Sequence, residues 1–182
     1  MVLTQEVKDL IIKEFEEFRD SMYAGKTKEE RQELGQFFTP PDLSIQMIER
    51  FKWDTLEGKK ILDPTSGSGN LLAACLIAGA DSDKVFGNEY DKKMLDVCRE
   101  RLHKICKQLR KPDIQDWQVH QGNALIPDCL TEFGETYDKV ILPELLNKRK
   151  AKTKEFRWID YPELYVKPTI KSQPKKHISE IF

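Results

Sequence analysis

Asp63, Gly67 and Gly69 stand in the run Asp63-Pro64-Thr65-Ser66-Gly67-Ser68-Gly69-Asn70-Leu71-Leu72, directly after Ile61-Leu62. The run reads as a strand that ends in a carboxylate and turns through two glycines into a helix. Glycine lets backbone approach a ligand closely and take positive φ, and a helix start offers unpaired N–H groups. A carboxylate at the strand end disfavours a ligand that brings a pyrophosphate there and favours one that is cationic. The dinucleotide fingerprint asks for a third glycine three residues after the second, and Leu72 stands in that place, which counts against NAD. The chemistry implied is the holding of a small nucleoside-type cofactor. The bland alternative is a tight turn with no ligand.

Two further polar groups fall at the ends of later strands. Glu89, in Gly87-Asn88-Glu89-Tyr90-Asp91, follows Gly69 by about twenty residues, where a doubly wound nucleoside site takes ribose hydroxyls on paired acceptor oxygens. Asp91 reads instead as the N-cap of the next helix. In Gln121-Gly122-Asn123-Ala124-Leu125, Asn123 can cap a helix or hydrogen-bond an adenine edge, and the two duties are compatible.

These groups need a frame, and the pattern supplies one. Thr4 caps a helix whose apolar positions Val7, Leu10, Ile11, Phe15, Phe18 and Met22 recur at helical spacing until Gly25. Thr27 with Glu30 makes a capping box for a short second helix. The loop Gly35-Gln36-Phe37-Phe38-Thr39-Pro40-Pro41-Asp42 leads into a helix with Thr39 as N-cap, Pro40 at its first position and Leu43, Met47, Ile48 and Phe51 on its buried face. Short β runs then alternate with helices, which signals a parallel sheet. The strands are expected at Lys59–Asp63, Lys84–Glu89, Trp117–Gln121 and Tyr137–Leu142, and the helices at Asn70–Gly79, Asp91 to about Leu109, and Ala124–Phe133.

Composition sets the bounds. The chain has 182 residues, 34% of them charged, with an apolar content that makes a globular domain rather than a disordered one. No apolar run approaches the ~20 residues of a membrane span, and Met1–Arg19 has no signal-peptide pattern. Cys75, Cys98, Cys106 and Cys129 show no CxxC pairing and read as reduced, mostly buried thiols of a cytoplasmic protein. His103, His120 and His177 are scattered and suggest no metal cluster. Net charge is −1, but residues 147–182 hold 10 Lys+Arg against 4 Asp+Glu, so a tail of +6 follows a body of −7. Such a tail is either a nucleic-acid footprint or a solvated segment. Phe156, Trp158, Tyr161 and Tyr165 in 156–166 can add a strand over an open sheet edge or, with Lys152, Lys154 and Arg157, contact nucleic acid. The packing role is favoured, because an uncovered edge invites aggregation.

Taken in order, the three strand-end motifs and the segment Gly35-Gln36-Phe37-Phe38-Thr39-Pro40, which ends 23 residues before Asp63, resemble the S-adenosylmethionine-dependent DNA adenine-N6 methyltransferases. The likeness is to the class related to type I restriction-modification modification subunits, and it spans roughly Glu33 to Leu142. It implies a Rossmann-like α/β three-layer sandwich with a mostly parallel sheet, shortened at its C-terminal half. An N-terminal helical extension (1–34), a cofactor-binding domain (35–146) and a basic C-terminal segment (147–182) would make up the chain. S-adenosylmethionine, or its demethylated product S-adenosylhomocysteine, is the implied cofactor. Phe38 and Thr39 would contact the methionine part, Asp63, Gly67 and Gly69 would form the cofactor turn, Glu89 would hold the ribose and Asn123 the adenine end, with Thr65, Asn70, Tyr90 and Ala124 also among the cofactor-binding residues. Members usually carry Asp where Asn123 stands; Asn keeps an acceptor oxygen and adds a donor.

One family motif is missing. Strand four of the family runs into Asn/Asp-Pro-Pro-Tyr/Phe, which accepts the two N–H bonds of the adenine amine and stacks the flipped base. Here Pro143-Glu144-Leu145-Leu146 occupies those positions, and Asn147 is displaced. No catalytic residue is therefore assigned and no metal is implied. Two functions stand open: a DNA adenine methyltransferase acting by direct displacement at the sulfonium methyl, or a non-catalytic relative that binds cofactor and needs a partner. A nucleotide enzyme of another reaction type is a weaker third. Partners implied are DNA, through Lys148, Arg149, Lys150 and Lys152, and a protein partner or second copy completing the sheet edge.

Overall fold

A computed structural model describes residues 1–25, 27, 39–51, 53–124 and 139–140. Its elements are α1 (Gln5–Tyr23), α2 (Pro41–Glu49), β1 (Ile61–Asp63), α3 (Asn70–Ile77), β2 (Val85–Glu89), α4 (Lys92–Gln108), β3 (Val119–Gln121) and β4 (Lys139–Val140). The strands form one sheet in the order β3-β2-β1-β4, and every pairing is parallel. Helices α3 and α4 pack on each other and both meet β2. This is the parallel α/β sheet that the alternation of runs predicts, in the Rossmann-like arrangement that the family resemblance implies.

The first three predicted strands begin late, for one shared reason. Lys59 N–H is spent on Leu56 C=O (3.1 Å), so β1 starts at Ile61 and not at Lys59. A 3-10 turn over Ser82–Lys84 precedes β2, with Lys84 N–H on Asp81 C=O. Another over Asp116–Gln118 precedes β3, with Gln118 N–H on Gln115 C=O. A backbone donor committed to a turn cannot also enter the ladder. Trp117 consequently lies outside the strand, 58% exposed, with its ring 5.8 Å from that of Phe86.

The helix ends follow local chemistry. Thr4 caps α1 by accepting from Val7 N–H, and Asp91 caps α4 by accepting from Met94 N–H at 2.9 Å. At α2 the expectation fails by one residue. Pro40 is the N-cap, helix begins at Pro41, and no side chain caps it. Helix α3 stops at Ile77 rather than Gly79, because Gly79 and Ala80 N–H groups turn back onto Leu76 and Cys75.

Helix α3 is apolar on all sides, and Asn70 through Leu76 are all buried. Such a helix belongs inside a fold rather than on its surface. Helices α1, α2 and α4 surround it, and Ile11, Ile45, Ile48, Leu72, Leu76, Leu95 and Leu102 share one core with β1 and β2. Ile11 is the fully buried member of the predicted α1 stripe, while Leu10 is 46% exposed. No described helix is long and apolar enough to cross a membrane. The expected helices after Thr27 and at Ala124–Phe133, the rest of strand four beyond Lys139–Val140, and residues 141–182 lie outside the described residues.

Candidate nucleoside site

The carboxyl ends of β1, β2 and β3 lie side by side, since Asp63 pairs with Gly87 and Glu89 with Gln121. Asp63 is buried, 1% exposed, and its Oδ1 accepts Thr65 N–H at 3.1 Å. That bond bends the chain at Pro64 and starts the turn. Ser66 N–H and Oγ both donate to Asn88 C=O (2.8 and 3.2 Å), and Gly69 N–H closes onto Ser66 C=O at 2.7 Å. The turn is thus sewn to β2 on one side and to α3 on the other.

Its two glycines do different work. Gly69 has φ +80°, and a Cβ there would lie 2.7 Å from Cys98 Sγ, so the position excludes any side chain from within the protein. Gly67 has φ +53°, yet a Cβ built on it meets nothing within 4 Å among the described residues. Gly67 marks an open approach to the turn; Gly69 marks a tight contact behind it. The close helix–strand approach that a third fingerprint glycine would give is supplied from the strand side, where Gly87 faces Leu72.

Glu89 closes the second side. Its Oε2 accepts Gly67 N–H and its Oε1 accepts Asp91 N–H, each at 2.8 Å. Each oxygen keeps a further lone pair for a ligand hydroxyl. Tyr90, next in the chain, is 73% exposed. Gly122 joins the third loop to the second by donating to Glu89 C=O at 3.0 Å and accepting from Asn88 Nδ2 at 2.9 Å. Asn123 and Ala124 follow it, both half-buried.

Two predicted contacts have other duties. Asn70 is buried, with Oδ1 accepting from Ser68 Oγ and Arg101 Nη1 and Nδ2 donating to Thr39 C=O at 3.0 Å. Its side chain is turned into the protein, leaving its backbone for any ligand. Thr39 contributes that carbonyl and stands one residue before the N-cap of α2. Phe38 lies outside the described residues.

Thr65 Oγ1 differs from its neighbours. It is buried and has no hydrogen-bond partner among the described residues. A buried hydroxyl without a partner costs free energy unless something fills the place.

The sequence reading missed Asn88 and Arg101. Asn88 Nδ2 bridges Pro64 C=O (3.1 Å) and Gly122 C=O, holding the first and third loops together. A polar residue in the buried run Val85-Phe86-Gly87-Asn88 was the available signal, because such a side chain must find partners. Arg101 falls with Met94, Cys98 and Ile105 at four-three-four spacing, on the buried face of α4. The thiols around the turn are inert: burial, with the nearby Asp63 charge, pushes Cys75 up strongly, and burial pushes Cys98 up to about 12 despite the Ser66 hydrogen bond.

The chain matches the family described as N-6 DNA methylase over residues 10–173. A stretch of 46 residues is 48% identical to the type II methyltransferase M.BsuBI of Bacillus subtilis, covering 25% of this chain and 9% of that one. Among solved structures, the methyltransferase subunit of a type I restriction-modification system from Streptococcus thermophilus is similar at 22% identity and a TM-score of 0.46. That match covers 59% of this chain and 22% of the subunit. A precorrin-6y C5,15-methyltransferase from Geobacter metallireducens is similar at 15% identity and a TM-score of 0.42, over 59% and 50% of the two chains. The chain therefore spans under a tenth of the curated relative and about a fifth of the first of these structures.

Proposed function

This chain belongs to the N-6 DNA methylase family, and we propose that it binds S-adenosylmethionine in the turn between β1 and α3, for methyl transfer to adenine in DNA. The observation that carries the reading is a strand-end carboxylate, Asp63, leading into a turn where a Cβ on Gly67 would meet nothing within 4 Å among the described residues; Thr65 Oγ1 in the same turn has no hydrogen-bond partner among them. The residues fit such a group. The space beside Gly67 would let a ligand approach the backbone closely without displacing a described side chain. The buried Asp63 carboxylate suits a cationic ligand head and repels a pyrophosphate.

When bound, S-adenosylmethionine supplies an electrophilic methyl on a sulfonium. The chain's own part is to bind and orient. Asp63 fixes the turn through Thr65 N–H and would lie nearest the cationic amino-acid and sulfonium end. Glu89 offers its two spare lone pairs to the ribose hydroxyls while its bonds to Gly67 and Asp91 hold it still. Tyr90 presents an exposed ring against which adenine can stack, and Asn123 with Ala124 borders the adenine edge. Thr39 would meet the methionine part, as would Phe38 by the family resemblance. S-adenosylhomocysteine would fill the same cradle after transfer.

A second reading keeps the cofactor and drops the chemistry. It rests on Pro143-Glu144-Leu145-Leu146, which offers neither the amide acceptor nor the stacking ring that an adenine amine needs. In that reading the chain is an accessory or cofactor-holding protein, completed by a partner or by a second copy. Labelled-methyl transfer to a mixed-sequence DNA distinguishes the two. Turnover by the isolated chain establishes the enzyme, and binding without turnover establishes the accessory role. DNA contact is assigned to Lys148, Arg149, Lys150 and Lys152. Neutralising the first three should lower the slope of log affinity against log salt by about 2 to 3; an unchanged slope would make the segment merely solvated.

A further inference from the structure

We infer that Arg101 is a positioning residue for the nucleoside site, and that with Glu14 it makes helix α1 part of that site's frame. The inference rests on the reading of the 63–70 turn as the cofactor cradle. Arg101 is 4% exposed. Its Nε and Nη2 take the two oxygens of Glu14, at 2.9 and 2.6 Å, in the bidentate geometry that a planar fork favours. The ring of Phe18 lies 3.8 Å from its Cζ, so α1 supplies both a carboxylate and an aromatic face. The remaining side of the fork, Nη1, donates to Ser68 C=O at 3.2 Å and to Asn70 Oδ1. Asn70 passes the link on to Thr39 C=O.

One guanidinium therefore joins α1, α4, the two residues that flank Gly69, and the approach to α2. Stability alone does not ask for this arrangement, because a buried ion pair can generally be replaced by well-packed apolar residues at no loss. What an apolar pair cannot do is hold a carbonyl and an amide oxygen on either side of a residue at φ +80°. Arg101 acts through the turn and not on the ligand. Because coupling is reciprocal, a ligand that needs the turn in this shape must also tighten the clamp on α1.

The test uses the intact chain and four forms of it: wild type, Arg101→Lys, the double variant Glu14→Leu/Arg101→Met, and Lys8→Met. S-adenosylmethionine affinity is measured by calorimetry, with thermal melting and amide hydrogen exchange alongside. The double variant leaves no charge unpaired but strips a donor from Ser68 C=O and Asn70 Oδ1, so it should melt below wild type while still folding, and bind about tenfold more weakly, within the usual range of site coupling. Arg101→Lys keeps a charge for Glu14 but loses the fork, and should also bind more weakly. Lys8→Met removes the Lys8–Glu49 pair that ties α1 to α2 away from the turn, and should change melting but not affinity. In wild type, saturating ligand should slow exchange of the α1 amides around Glu14. Should the variants not fold, that exchange arm decides alone. Wild-type affinity in Arg101→Lys, or α1 exchange indifferent to bound ligand, overturns the inference. A wild-type chain that gives no binding heat overturns the cradle itself, and this inference with it.

Discussion

Arg101 and His103 stand two residues apart on α4, and each is paired with carboxylates, but they face opposite environments. Arg101 is buried and holds Glu14, Ser68 and Asn70 at once. His103 is 35% exposed and reaches Asp113 at 2.7 Å and Asp116 at 3.3 Å on the loop before β3. Similar charges on one helix thus perform unlike tasks. The inner one fixes the shape of the candidate site across long sequence separation, and the outer one pins a local connection that water also solvates. Burial makes the inner pairing costly to break, and solvent makes the outer one nearly dispensable.

The contrast breaks most sharply at Arg101 itself. Arg101→Ala takes the guanidinium from Glu14, from the Ser68 carbonyl and from the Asn70 amide oxygen, and should cost about 3–5 kcal/mol, read as a shift in the urea midpoint at unchanged slope. A loss below about 1 kcal/mol would place the inner pair on the same footing as a surface one. Gly69→Val comes next. It forces a β-branched side chain into φ +80° with Cys98 Sγ only 2.7 Å from the new Cβ, at about 2–4 kcal/mol. Gly67→Val should cost less stability, since its Cβ meets nothing within 4 Å among the described residues, while still obstructing ligand approach. Equal losses at both glycines would erase the distinction between the open and the packed side of the turn.

Asn88→Ala strips the donors from Pro64 and Gly122 carbonyls and should cost about 2–3 kcal/mol, again by urea titration. The smallest effect belongs to the outer side. Burial pulls the His103 pKa down, but the hydrogen bonds that Asp113 and Asp116 accept from the ring and their charges outweigh it, so the net shift is upward from 6.5. A raised folded value stabilises fully below the unfolded pKa, and that contribution is lost as pH rises through the folded one. Wild type should therefore lose below about 1 kcal/mol, discounted for solvent screening, as pH climbs past about 6.5. His103→Gln should flatten that decline. A steeper loss in wild type would mean that the exposed pair matters more than its setting allows.

Sequence exposed what is local and hid what is not. Asp91 and Thr4 were readable as caps because the cap bond reaches only three residues along the chain. The order of strands and helices was readable because apolar runs and turn residues alternate. The true starts of β1, β2 and β3 were not, since each depends on a turn that consumes one backbone donor. Asp63, Gly67, Gly69 and Glu89 were legible as one candidate site, and in the fold Thr65 N–H meets Asp63 and Gly67 N–H meets Glu89. Asn70 was placed against the ligand, yet its amide is drawn inward by Arg101, thirty-one residues away in the chain. Arg101 answers to Glu14, eighty-seven residues away, which no local pattern discloses.

The central claim is that the turn at residue 63 cradles a sulfonium nucleoside. Calorimetric titration of wild type and Asp63→Ala with S-adenosylmethionine, and of wild type with NAD, tests it most directly. The account predicts one saturable site for S-adenosylmethionine in wild type, none in Asp63→Ala at the same concentrations, and no binding of NAD. Absence of heat in wild type, or equal affinity in the variant, would contradict it.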